Sequence, residues 1–102
     1  MLDLAVTEGM ADAFERDLSG TRLPWADYPS DVATWIDELR VPNTPAARAR
    51  MHHHPDGRRW VAHKVGTYLV DRAMRASGRS AAQLVQTPTA EILRLGHAGT
   101  GQ

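Results

Sequence analysis

Apolar positions recur along this chain at the spacing of amphipathic helices, most regularly in Arg59–Gly78, RWVAHKVGTYLVDRAMRASG. Ala62, Val65, Gly66, Leu69, Val70, Ala73 and Met74 follow one another at i, i+3, i+4, i+7, i+8, i+11 and i+12, a continuous stripe down one helix face. His63, Lys64, Thr67, Asp71, Arg72 and Arg75 take the opposite face, with Asp71 four residues before Arg75 in the favourable acid-first order. Arg72 and Arg75 complement the negative end of the helix, and Gly78 offers a left-handed stop. Gly66 is out of place by propensity, since glycine costs about 1 kcal/mol against alanine in a helix interior. Its position in the stripe predicts a backbone packed hard against it.

The same spacing predicts further helices on either side. Residues 2–18 carry Leu2, Val6, Met10, Phe14 and Leu18 four apart, widened by Gly9 and Ala13 and ended by Gly20. No Ser, Thr, Asp or Asn precedes Leu2, so this helix reads as cut into, with more chain expected before it. Thr21–Pro29 is a loop whose Trp25 and Tyr28 are expected to be buried. Ser30 caps a helix through Val32, Trp35, Ile36 and Leu39, and Thr44-Pro45 opens a short one to about Met51. Pro55-Asp56-Gly57 is a turn into the central helix. Ser80 and Gln83 have capping-box spacing, Thr87-Pro88 starts the last helix, Gly96 closes it, and residues 97–102 form a disordered tail. With no period-two alternation, the expectation is an all-α single domain over 1–96, five or six helices around the helix at 59–77.

Composition narrows the classes. There is no cysteine, which excludes a disulfide framework and thiolate metal sites. No apolar run approaches the ~20 residues of a membrane span, and nothing resembles a signal peptide; the expected location is cytoplasmic. The formal net charge is zero but uneven: residues 1–45 hold nine acids and three bases, residues 46–102 three acids and nine bases, or −6 against +6. Two halves of opposite charge facing each other within one fold explain this better than a nucleic-acid surface.

Few residues offer chemistry. His52, His53 and His54 are adjacent, so on a helix they diverge and cannot share a metal; they are expected to be solvated. Arg48, Arg50, Arg58, Arg59 and Lys64 could form a phosphate patch, although a charge-balanced surface accounts for them equally. Glu8 and Asp12, at i and i+4, share the face opposite Val6, Met10 and Ala13, and spacing alone leaves them as solvated acids or as a metal-binding pair.

The motifs Thr7-Glu8-Gly9-Met10-Ala11, Pro24-Trp25 and Ala62–Val70 within WVAHKVGTYLV resemble the C-terminal part of a family of predicted zinc-dependent proteases. That family has an HExxH helix, a downstream (S/T)-E-G-(L/M)-A helix and a late helix of the form G-Y-x-x-G-x-x-(L/I)-V. The resemblance implies an all-α lobe in which Glu8 is the third zinc ligand, after the two HExxH histidines, and Asp12 orients a ligand histidine. It further implies zinc as cofactor in the complete protein and a peptide as substrate. This chain departs from the pattern in two places: it contains no HExxH, and Ala62-His63 stands where the family has Gly-Tyr. His63 is then the one side chain to consider for catalysis, with the catalytic group otherwise unassigned. The expected function is therefore the C-terminal lobe of such a protease, inactive alone, with an upstream HExxH-containing segment or a second copy as the expected partner. A helical protein-interaction module and a nucleic-acid-binding domain are the alternatives.

Overall fold

The computed structural model describes residues 1–98, with side chains through 96. The fold is all-α, as the spacing predicts: α1 (Leu2–Ser19), a 3-10 helix (Val32–Leu39), α2 (Pro45–His52), α3 (Val61–Ser77), α4 (Ala81–Leu84) and α5 (Thr89–Ala98). α3 is the hub, packing most extensively on α1 and next on α5 and the 3-10 helix. Its stripe is buried from Ala62 to Ala73, with Met74 half-buried at the rim. Val61, Val65 and Val70 meet Val32, Leu39, Leu84 and Ile92 in the fully buried centre.

The α1–α3 crossing is a glycine contact. A Cβ added to Gly66 would lie 1.7 Å from the Ala5 carbonyl oxygen and 2.5 Å from its carbon. One added to Gly9 would lie 2.0 Å from Gly66 C. The two backbones touch, and this explains why glycine is kept despite its propensity cost.

Caps at Gly20 (φ 70), Thr44, Gly78 (φ 69) and the Ser80–Gln83 capping box form as the sequence implies. Elsewhere the structure corrects the expectation. Residues 32–39 wind as a 3-10 helix without a Ser30 cap. Thr34 donates both its amide and its hydroxyl to the Asp31 carbonyl, at 2.9 and 2.7 Å, which closes an i→i+3 turn. Val32 and Leu39, at the two ends of the segment, are both buried in the core. α5 runs past Gly96 to Ala98, because Gly96 packs beside Arg72 and Leu69 of α3 instead of terminating the helix. Of the expected tail, residues 99–102 lie outside the described residues.

On α1, Phe14 and Leu18 are exposed, at 41% and 78%, whereas Ala5, Gly9, Asp12 and Ala13 face the core. α3 selects the face that lets backbones approach, and the bulkier stripe is left to solvent at its C-terminal end. Asp71 does not pair with Arg75. It receives Arg16 through two bonds of 2.7 and 3.1 Å and the Tyr28 hydroxyl at 2.5 Å, which ties α1 and the loop to α3. Burial, reinforced by the Asp71 carboxylate, pushes the Tyr28 phenol up to about 12. Trp25 and Tyr28 are only half-buried and are held by these polar handles, while Leu23 and Ala26 supply the buried apolar contacts.

Candidate functional site

The contact of Gly9 with Gly66 sets what lies beside it. One residue before Gly9, Glu8 projects from α1; one turn on, Asp12 follows on the same side. His63, three residues before Gly66 on α3, comes down between them. His63 Nδ1 lies 2.7 Å from Asp12 Oδ2, and His63 Nε2 lies 3.2 Å from Glu8 Oε2. Asp12 is not the solvated acid its spacing suggests: its side chain is 7% exposed. Its other oxygen, Oδ1, accepts from Trp25 Nε1–H at 3.1 Å. A buried carboxylate requires such partners, and both are present.

This arrangement fixes the imidazole. With Nδ1–H committed to Asp12, Nε2 is the atom left facing Glu8 and the adjoining cavity. The Asp12 hydrogen bond, with smaller charge contributions from Asp12 and Glu8, raises the His63 pKa above its ordinary 6.5 against the opposing effect of burial. The charged imidazolium is therefore favoured here more than in a free histidine, and Nε2 faces Glu8.

Trp60 forms the wall next to it. Its indole stands edge-on to His63 at 5.7 Å between centroids and to His52 at 4.1 Å. Trp60 is the single non-glycine residue with positive φ among the described residues (φ 59), at the point where the chain turns into α3. A cavity of about 140 Å³ opens here, lined by Leu4, Glu8, Arg48, Met51, Trp60 and His63 among others.

The donors do not amount to a zinc site by themselves. A catalytic zinc needs three protein ligands. Glu8 and His63 Nε2 are two donors pointing at each other, and Asp12 is already engaged on both oxygens. Among the described residues no three His, Asp or Glu side chains converge as a metal site. Asp12 does orient a histidine, but that histidine is His63 of this chain.

The histidine triplet divides. His52 and His53 are exposed, while His54 is 6% exposed, which corrects the expectation that all three are solvated. The turn folds back so that His54 N–H donates to Arg58 O at 2.8 Å and the Asp56 amide donates to His54 Nδ1 at 3.2 Å. His54 Nε2 lies 3.3 Å from Glu38 Oε1 without forming a hydrogen bond. Arg58, one of the candidate phosphate-patch residues, is committed here: it is bidentate to Glu38 at 2.8 Å, bonds Asp56, and lies 4.8 Å from the centroid of Trp35. Its hydrogen bond holds the Asp56 carboxyl at about 2. His54→Ala should cost about 2 kcal/mol in a denaturant melt by emptying a buried polar position. Changing His52 and His53 to Ser should stay within about ±0.5 kcal/mol.

Sequence reasoning missed Trp25 as the partner of Asp12, the left-handed Trp60 and the buried His54. One signal was present: Ala5, Gly9, Asp12 and Ala13, at i, i+4, i+7 and i+8, form a stripe of small residues with Asp12 as its one charged member.

No family model matches this chain, and no curated protein or solved structure matches it either.

Proposed function

We propose that this chain is the helical lobe of a zinc-dependent peptidase of the HExxH type. Glu8 contributes one metal ligand, the Asp12–His63 pair stands beside it, and the HExxH helix comes from residues outside these 102. The observation that supports this most is the meeting of the two resemblance-bearing segments. Thr7–Ala11 and Ala62–Val70 lie more than fifty residues apart in sequence, yet they cross at Gly9 and Gly66 and bring Glu8, Asp12 and His63 together. Zinc, when bound, would supply Lewis-acid polarisation of a carbonyl and an activated water. This chain's own residues do three things: Glu8 offers a partly exposed carboxylate, Asp12 fixes the imidazole, and His63 turns Nε2 toward Glu8, where in its protonated form it would donate to an oxygen bound there. In the family pattern a tyrosine takes the place of His63, so the family's role for that side chain does not carry over to this chain.

The 102-residue chain alone is expected to show no zinc-restorable hydrolysis of casein or a peptide library. The product of the whole reading frame is expected to contain HExxH and to cleave peptides in a chelator-sensitive way. In it, Glu8→Gln should lower kcat/KM beyond the roughly 10–100-fold that loss of an outer partner of a metal ligand costs. A whole-frame product without HExxH, hydrolysis indifferent to Glu8→Gln, or zinc-restored activity in the 102-residue chain would each overturn the proposal.

A second reading, a helical interaction module, draws on the exposed Phe14, Leu18 and Val85. Self-association that Leu18→Glu abolishes, without any peptidase activity in the whole-frame product, would favour it.

A further inference from the structure

Away from the Glu8 site, the 3-10 helix, α3 and α5 enclose a groove of about 460 Å³, within the range of small-ligand sites. Ile36, Leu69 and Leu93 give it an apolar floor, and Arg40, Arg72 and Arg94 line it with no acid among the lining residues. The three arginines are not equivalent. Arg40 is paired with Asp37 on its own segment at 2.8 Å, and Arg94 with Glu91 one turn earlier. Arg72 pairs with no carboxylate among the described residues. It is half-buried, and it is held rigid: Nε–H donates to the Gly96 carbonyl at 3.2 Å, and one terminal nitrogen donates to the Tyr68 hydroxyl at 2.6 Å.

A half-buried guanidinium fixed by neutral acceptors retains its charge and a free N–H edge. With Arg40 and Arg94 already balanced, the groove carries one excess positive charge beside an apolar floor. That combination matches a monoanion with an aliphatic chain better than a phosphate, whose second charge would find no partner. We propose that this groove binds a small alkyl carboxylate, its headgroup on Arg72 and its chain along Ile36, Leu69 and Leu93. This site does not depend on the peptidase reading.

The test is calorimetric titration of the folded chain with octanoate, with octanol and acetate as controls and backbone amide shifts to locate the site. Octanoate is expected to bind roughly tenfold or more tightly than either control, since each lacks one half of the recognition. Shifts should centre on Ile36, Leu69 and Leu93, and Arg72→Met should weaken octanoate by about tenfold or more. If Arg72→Met does not fold, Leu93→Glu, at a half-buried position of the floor, should abolish octanoate binding through like-charge repulsion. Equal binding of octanol overturns the proposal, as does octanoate affinity unchanged in the variant that folds. No binding at ~10 mM octanoate, a range far above useful small-ligand affinities, also overturns it. Tighter binding of a Leu-ended peptide than of octanoate would replace the small molecule by a chain terminus and overturn the assignment.

Discussion

Gly66→Ala should destabilise the protein by roughly 3 kcal/mol or more, at or above the top of the ~1–3 kcal/mol usual for overpacking. The added methyl would sit 1.7 Å from a backbone oxygen of α1, so no side-chain rotation can relieve it. The helices must separate, and the separation opens gaps along the whole stripe. On an exposed helix face the same change would stabilise by about 0.5–1 kcal/mol through propensity, so even the sign of the effect reports the contact. Gly9→Ala should behave alike, with its methyl 2.0 Å from Gly66 C. Once one methyl has forced the backbones apart, the second costs less, and the double variant should lose clearly less than the sum of the two. Arg75→Ala, exposed on the same helix, is the control and should stay within about ±0.5 kcal/mol. Thr67 cannot serve as that control, although its place opposite the stripe suggests it: it is 1% exposed and donates to the His63 carbonyl at 2.8 Å. A Gly66→Ala protein with a higher midpoint and an unchanged slope would mean that α3 does not meet α1 through this face.

What was legible in the sequence was local periodicity and punctuation. The stripe of α3, the stops at Gly20 and Gly78, the Thr44 cap and the Ser80–Gln83 box depend on residues within one or two turns of each other, and each formed. The tight place at Gly66 was legible because glycine inside an apolar stripe is a local contradiction. What failed depended on partners far away in sequence. Spacing alone leaves Asp12 open between a solvated acid and a metal-site carboxylate, because its partners, Trp25 and His63, arrive from a loop and from α3. Helical spacing pairs Asp71 with Arg75, yet Arg16 and Tyr28 reach it from 55 and 43 residues away. Adjacency to His52 and His53 puts His54 in solvent, and only the fold-back onto Glu38 and Arg58 buries it. For the site itself, Glu8 and Asp12 were singled out from one helix, whereas the geometry that makes them interesting is set by a second helix crossing at a glycine pair.

Asp12→Asn should cost stability in a pH-dependent way, most in acid and little in base. In the native protein the Asp12 carboxylate accepts His63 Nδ1–H on one oxygen and Trp25 N–H on the other. Because this hydrogen bond raises the His63 pKa, the stabilisation is fully present below the ordinary value of 6.5 and is lost as pH rises through the raised native value. An asparagine can keep the Trp25 bond with its carbonyl oxygen, but its amide then turns N–H groups toward His63 Nδ1. An imidazolium cannot accept them; a neutral imidazole protonated at Nε2 can. Near pH 5 the variant should therefore lose roughly 3 kcal/mol, the scale of breaking a largely buried charge pair. Near pH 9 the loss should shrink to about 1 kcal/mol or less, an exchange of one neutral hydrogen bond for another. His63→Gln should flatten the pH dependence of both proteins, because the titrating group is gone. Denaturant melts of the four proteins at these two pH values, with His63 followed by proton NMR, provide the measurement. In Asp12→Asn the His63 pKa should fall back toward or below 6.5. If Asp12→Asn costs the same at both pH values, or leaves the His63 titration where it was, then Asp12 does not hold the imidazolium, and the site reduces to Glu8 beside an ordinary surface histidine.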